Sequence, residues 1–344
     1  MEILWLCFMI FATGACIGSF LNVVALRALT DESIVLPASK CPNCNAKIKW
    51  YDNIPIFSYL FTFKGKCRNC HQKVSIQYPI VETLTALIFL FVCVCFGFTL
   101  KSLFLLILFS ISIVIAITDI KQECIFERHA WCLIIMSVLT SLLVNGLENY
   151  SKTAIGLIAG VILMETLAKL SYYLVRKKTE PEKTTNNSSN DDIDINEYVN
   201  KNKRAFGEGD TYLAAASGAL LGWQALLITL FLSIILQSLL VLPKFLIGLY
   251  KQKQYTLIAA LSAFLVITIV YWGLSNTVHL NNYVVYSFVV VLIFLAILTI
   301  KKLKYTVNEQ GFSPIPFGPA ILSATFIVFF FGRTIVDFLI KYIC

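Results

Sequence analysis

The sequence predicts an all-α polytopic membrane protein. It has about ten transmembrane helices and a small zinc-stapled cytoplasmic loop domain after the first helix. Three observations carry this. Of 344 residues, 58% are apolar and only 14% charged, against about 45–50% and about 25% in soluble domains. Long apolar runs recur along the chain. Four cysteines form two close pairs on a polar segment between the first two runs. The composition excludes a water-soluble enzyme, a disordered chain and a coiled coil. The net charge of +8 reads first as cytoplasmic loops, not as nucleic-acid binding.

A hydrocarbon core of about 30 Å needs roughly 20 apolar residues in helix. Runs of that kind lie near 3–25, 80–98, 102–119, 130–147, 153–175, 211–246, 255–275, 281–300 and 319–340. The first lacks a basic leader, carrying only Glu2, and reads as a retained helix instead of a signal peptide. The run 211–246 is long for one span and is interrupted at Gly222-Trp223. Read as two spans, with both chain ends outside, it places 23 Lys and Arg inside and three outside; read as one, 18 and eight. Basic residues concentrate in cytoplasmic loops, so ten spans are expected.

The chain then divides into a first helix (1–25), a cytoplasmic zinc-binding loop domain (26–79) and helices 2–5 with Asp119 (80–176). A flexible polar insert follows (177–205), then the Gly-x-Gly-Asp segment with helices 6 and 7 (206–246). An additional hairpin (247–304) precedes the last helix (305–344). The insert has almost no aromatic or branched apolar content and reads as a solvated linker.

Cys41-Pro-Asn-Cys44 and Cys67-Arg-Asn-Cys70 are separated by 22 residues. Two such knuckles offer four thiolates, the ligand set of tetrahedral structural zinc. The loop lacks a sizeable apolar core, so a metal would be its staple. Four free thiols, or two disulfides in the opposite topology, are the alternatives. Cys67 to His71 also matches the C-x-x-C-H haem-attachment pattern, which would leave Cys41 and Cys44 unexplained. The remaining seven cysteines sit in or beside apolar runs, as small core residues do.

Acidic residues near membrane depth are few: Glu82, Asp119, Glu165, Asp210 and Asp337. An ionisable group there is a functional hypothesis by default. Asp337 has Arg333 one turn earlier as an expected ion partner, and Glu82 and Glu165 read as structural. Asp119 ends one span and Asp210 begins another on the same side, with no basic partner nearby. Two carboxylates at one depth share a proton, because like charges a few Å apart cannot both ionise easily. One then serves as base toward water while its protonated neighbour polarises a carbonyl. Gly207 and Gly209 flank Asp210 and permit close backbone approach, for example by an extended substrate strand. The bland alternative is that each aspartate marks a helix end.

With these residues in place, the chain resembles the type IV prepilin peptidase family, bacterial leader peptidases of pilins and type II secretion pseudopilins. Gly18-Ser-Phe-Leu-Asn22 closes the first span as in that family. Cys41-Pro-x-Cys44 leads into Trp50-Tyr51-Asp52-Asn53-Ile54-Pro55, then Lys64-Gly65-Lys66-Cys67-Arg68-x-Cys70 and Gln77-Tyr78-Pro79-x-Val81-Glu82. Thr118-Asp119 and Gly207-x-Gly209-Asp210 resemble the two catalytic aspartate motifs. Ile315-Pro316-Phe317-Gly318-Pro319 opens the last span.

The resemblance implies two activities in the bacterial inner membrane. One is cleavage of a basic leader at the cytoplasmic face, with Asp119 and Asp210 as catalytic pair. The other is methylation of the new N-terminus with S-adenosylmethionine. It implies prepilin or pseudopilin substrates within the bilayer and no nucleic acid. Phe126-Glu127 and Tyr212 depart from the family's Pro-Asp and Lys at those positions, and the insert and hairpin are additions. A catalytically degenerate relative, acting as pilus-assembly scaffold or ion-coupled transporter through the same carboxylates, is the alternative. Trp50, Tyr51, Asn53, Pro316 and Phe317 also read as packing residues.

Overall fold

The structure is a computed structural model and describes residues 2–33, 35, 40, 41, 43, 44, 46–49, 51, 54–62, 65–176, 207–251, 255, 259, 262 and 316–343. Eight helices are described: α1 (Glu2–Thr30), α2 (Gln77–Phe96), α3 (Leu100–Gln122), α4 (Glu127–Asn145), α5 (Tyr150–Arg176), α6 (Glu208–Leu221), α7 (Trp223–Lys251) and α8 (Gly318–Ile343). No strand occurs among the described residues. The chain separates into two compact units, Met1–Ile234 with Pro316–Cys344, and Ile235–Ile315. Of the second, the described part is the C-terminal portion of α7 and three further residues. The expected insert 177–205 lies outside the described residues, as does nearly all of the hairpin 255–300.

Local chemistry fixes the helix ends. Thr99 and Ser102 exchange side-chain and backbone hydrogen bonds at the start of α3, with Ser102 N–H donating to Thr99 Oγ1 at 3.3 Å and Thr99 N–H to Ser102 Oγ at 2.9 Å. This reciprocal cap satisfies amide groups that have no partner inside the helix. At the other end Glu123 adopts φ +54° and closes the helix on the Asp119 carbonyl at 2.8 Å. The run 211–246 breaks where the sequence interrupts it: Gly222, at φ +84°, ends α6 and lets α7 begin.

Seven of the helices are long and apolar enough to cross a membrane, α6 being the exception. With 14 residues it is roughly 21 Å long, short of a full crossing on its own. The expectation of ten spans therefore has seven described counterparts, plus a short α6. The hairpin's two lie outside the described residues.

Helix α6 is the centre of the bundle. Asp210, Thr211 and every residue from Leu213 to Leu220 are buried, and α4, α5 and α8 pack around it. A helix buried on all sides carries no polar face. Its small residues allow contact at backbone distance. A methyl group on Gly156 of α5 would overlap the Gly218 carbonyl, and one on Gly160 would lie 2.5 Å from the Ala214 carbonyl. This is the small-residue packing that membrane helices use in place of a hydrophobic drive.

Side-chain hydrogen bonds tie the remaining helices: Ser141 to Thr153 at 2.8 Å, Ser217 to Thr325 at 2.7 Å, and Gln77 Nε2 to Asn22 Oδ1 at 3.2 Å. A cluster of phenylalanines joins α2, α3 and α8, with Phe109 to Phe326 at 4.9 Å and Phe91 to Phe330 at 4.7 Å between ring centroids. Arg333 and Asp337, both exposed, do not form the ion pair their spacing suggests. Among the described residues Arg128 pairs instead with Asp31, at 3.9 Å.

Candidate active site and metal centre

Three helix ends meet at the carboxylates. Asp119 sits in the last turn of α3 and Asp210 in the first turn of α6, both buried. They are 91 positions apart in the sequence, yet the charge of Asp119 acts directly on Asp210. The third end is α8, whose first residue donates its N–H to Asp119: Gly318 N to Oδ2 is 2.9 Å. A helix start has unpaired N–H groups and a positive dipole end, and a carboxylate satisfies both. Asp210 is held similarly, with Gly207 N–H donating to its Oδ2 at 3.2 Å. Each carboxylate thus has Oδ2 tied to backbone. The Oδ1 atoms carry no hydrogen bond among the described residues.

Glycines make this approach possible. A Cβ on Gly318 would lie 2.6 Å from Asp119 Oδ2 and 3.2 Å from Leu213 Cδ1, so the α8 N-terminus could not reach the carboxylate. A Cβ on Gly209 would lie 2.6 Å from Ile125 Cβ. That face of the glycine is filled by the α3–α4 connection and is not left open to a substrate strand. Gly207 differs: its nearest neighbour to an added Cβ is 3.9 Å away. Its contribution is the N–H to Asp210. Tyr212, at the departure from the family pattern, packs its ring 5.7 Å from Trp131.

The loop domain builds the second centre. Lys40 pairs with Lys47 and Lys66 with Lys73 in two isolated antiparallel bridges, so each C-x-x-C segment is a tight knuckle. Cys41 N–H bonds the Ala46 carbonyl at 2.9 Å and Cys67 N–H the Gln72 carbonyl at 2.8 Å. The four sulfurs of Cys41, Cys44, Cys67 and Cys70 lie within 4.8 Å of one another, with Cys41 to Cys70 and Cys44 to Cys67 both at 3.9 Å. Tetrahedral zinc with bonds of about 2.3 Å sets sulfurs ~3.8 Å apart, so this cluster could hold a metal ion. All four thiols are free.

Asn43 and Asn69 occupy equivalent places in the two knuckles. Each points its amide at a sulfur of the other: Asn43 Nδ2 to Cys70 at 3.7 Å and Asn69 Nδ2 to Cys44 at 3.6 Å. Backbone N–H of Ala46 and the Asn69 amide lower the Cys44 thiol to about 6. Cys67 is lowered by the backbone N–H groups of Cys70 and Asn69. Both effects favour the thiolate that binds metal.

Gly18 and Asn22 are packing residues here. A Cβ on Gly18 would lie 2.9 Å from Glu82 Cα, and Asn22 is wholly buried. Trp50, Asn53 and Ile315 lie outside the described residues. Gly318 stands in the motif that opens the last span, but with no contact to an aspartate expected of it; Asn43 and Asn69 are not singled out by the sequence reading. The signals that could have found them are a glycine before Pro319 at a helix start and the repeated Cys-x-Asn-Cys.

Two buried carboxylates that feel each other's charge, at helix ends within a membrane bundle, are the kind of pair that aspartic hydrolases use. Comparison with known proteins makes this specific. Residues 12–96 match the Bacterial Peptidase A24 N-terminal domain and residues 106–242 the Type IV leader peptidase family. The prepilin leader peptidase/N-methyltransferase of Myxococcus xanthus is 30% identical over 225 residues, 63% of this chain and 57% of that protein. Its counterpart in Aeromonas hydrophila is 30% identical over 257 residues, 67% of this chain and 78% of that protein. The type 4 prepilin-like proteins leader peptide-processing enzyme of Escherichia coli O78:H11 is 43% identical over 95 residues, 22% of this chain and 35% of that protein. No solved structure matches. The chain belongs to the type IV leader peptidase family.

Proposed function

We propose that this chain is a membrane aspartic endopeptidase that removes the leader of type IV prepilins or pseudopilins at the cytoplasmic face, and that it N-methylates the new terminus. The supporting observation is the meeting of Asp119 and Asp210 at buried helix ends, with Oδ2 of each tied to a glycine N–H. In a desolvated site the pair holds one proton between them. The ionised carboxylate takes a proton from water, whose oxygen attacks the scissile carbonyl carbon. The protonated neighbour hydrogen-bonds the carbonyl oxygen as it gains charge. Collapse breaks the C–N bond, and a carboxyl proton passes to the leaving amine. No covalent enzyme intermediate is needed.

Zinc at Cys41, Cys44, Cys67 and Cys70 would be structural. Four thiolates leave no position for substrate or water, so the metal supplies folding energy to a loop with little core. S-adenosylmethionine would supply the methyl group to the freed α-amine. One cavity, about 10 Å³ among Ser112, Ser137, Ser217 and Thr325, is far too small for it. The test is incubation of the reconstituted protein with a candidate prepilin and the methyl donor, read by intact mass. Loss of the leader plus one methyl group is expected; loss of the leader alone would remove the methyltransferase reading. An unchanged substrate with folded protein would remove both.

A further inference from the structure

One segment of the loop domain is built unlike the rest. Residues 54–57 turn into a short wide helix, Ser58–Thr62, with Ser58 N–H on the Ile54 carbonyl and Leu60 N–H on the Ile56 carbonyl, both at 3.1 Å. One side faces the protein: Ser58 is buried, and Tyr59 hydroxyl donates to the Val74 carbonyl at 3.4 Å. The other side carries Phe57, Leu60 and Phe61, which are 53%, 55% and 66% exposed. The two phenylalanine rings lie against each other, tilted by 34°, with centroids 4.9 Å apart. Ile54, before the turn, is exposed as well. A contiguous apolar face of this kind on a polar loop marks an interaction site.

Its depth is set by a buried carboxylate. Ile56 N–H donates to Glu82 Oε2 at 2.7 Å, and Glu82 is in the second turn of α2. A Cβ on Gly18 would sit 2.9 Å from Glu82 Cα, so Gly18 marks the same level on α1. The apolar run of α1 continues seven residues beyond Gly18, to Ala25, which is roughly 10 Å of helix. The turn is therefore drawn down inside the level where the apolar surface of α1 ends. Ile56 takes φ +62° there, a conformation that a β-branched residue adopts only when its surroundings impose it. The Glu82 carboxylate, which accepts the Ile56 N–H, is the group that does so.

Charge selects the occupant. Residues 40–73 contain Lys40, Lys47, Lys49, Lys64, Lys66, Arg68 and Lys73 against Asp52 alone. Lys47, Lys49, Lys66, Arg68 and Lys73 are exposed. A basic leader would be repelled by this set, whereas anionic headgroups complement it. Exposed aromatic side chains on a basic loop are the pattern of interfacial anchoring.

We infer that residues 54–62 are an interfacial membrane anchor: Phe57, Leu60 and Phe61 insert into the acyl boundary while the exposed lysines and arginine of the same loop domain bind anionic headgroups. Glu82 is the positioning residue that holds the turn at that depth. The inference rests on membrane embedding alone and stands apart from the peptidase reading.

The test uses the full chain in nanodiscs of phosphatidylcholine, with and without phosphatidylglycerol. Phe61 is replaced by the photoreactive p-benzoyl-phenylalanine, and adducts are identified by mass spectrometry after illumination, in the presence of a prepilin. An acyl-chain adduct is expected, at least about two-fold more abundant with the anionic lipid. Glu82→Gln, which keeps the side chain's size, should lower the yield at Phe61. If the Phe61 replacement does not insert, the same label at Phe57 gives the same reading. Absence of a lipid adduct, a prepilin adduct in its place, or equal yields from the two membranes would overturn the proposal.

Discussion

Gly318 and Asp119 are 199 positions apart, and the N–H of the first donates to the carboxylate of the second at 2.9 Å. The start of the last helix is thereby docked on the end of the third, and the orientation of one carboxylate depends on a residue with no side chain. A methyl group at Gly318 would sit 2.6 Å from the carboxylate oxygen. Gly318→Ala should insert normally and lose about 10²-fold in cleavage rate, the size expected from displacing a reacting group by about an ångström. Single-turnover cleavage of a prepilin in detergent measures this, and an unchanged rate would show that the contact does not position Asp119.

Gly209 should be constrained by Ile125, not by substrate. Gly209→Ala places its Cβ 2.6 Å from Ile125 Cβ and should cost about 1–3 kcal/mol through overpacking. Adding Ile125→Gly should recover part of the loss, with a coupling of about 0.5–3 kcal/mol. Denaturant unfolding of both single variants and the double variant measures it. Additive effects would contradict the contact. Gly207→Ala has open space by comparison and should be tolerated better.

Among the described glycines, those of the α5–α6 contact have the closest neighbours. Gly156→Leu should destabilise the protein by about 1–3 kcal/mol or more, as overpacking against backbone allows no side-chain escape. Gly332→Ala, where the nearest neighbour is a Val328 methyl at 3.3 Å, should stay within about 0.5 kcal/mol. Thermal unfolding in one detergent compares the pair; equal losses would contradict the backbone-distance packing.

The four-thiol centre should bind one zinc per chain and lose it in acid. Cys44 is lowered to about 6, so in the metal-free loop its thiolate is present above that pH and is protonated below it. Proton competition should weaken zinc at least about tenfold between pH 7 and pH 5. Asn43→Ala and Asn69→Ala, which remove an amide from a sulfur on the opposite knuckle, should each weaken it by about 10-fold or more. Metal analysis and competitive chelation give both values, and pH-independent binding would contradict thiolate ligation.

How much of this was legible in the sequence follows from what each feature depends on. The cysteine cluster was legible because metal ligation imposes a spacing within each knuckle. The break at Gly222 was legible because an all-apolar run of that length needs one. The aspartates were legible as isolated charges in apolar surroundings. The docking of Gly318 on Asp119 was not, because a backbone N–H leaves no residue-type signal. The filling of Gly209 by Ile125 was equally hidden: a glycine announces close approach but not what approaches. The Arg333–Asp337 pair was expected from one-turn spacing, yet both side chains are exposed and do not meet; spacing on a helix permits a contact without enforcing it. The amphipathic turn 54–62 escaped notice because its depth comes from Glu82, which is 26 positions from Ile56.

The most direct measurement is intact-mass analysis of a prepilin after incubation with the reconstituted protein, its Asp119→Asn and Asp210→Asn variants, and S-adenosylmethionine. Both substitutions preserve shape and remove the exchangeable charge. The wild-type protein should release the leader and add a methyl group. Each variant should insert and fold yet leave the leader attached. Leader cleavage by either variant at the wild-type rate would contradict the Asp119–Asp210 dyad.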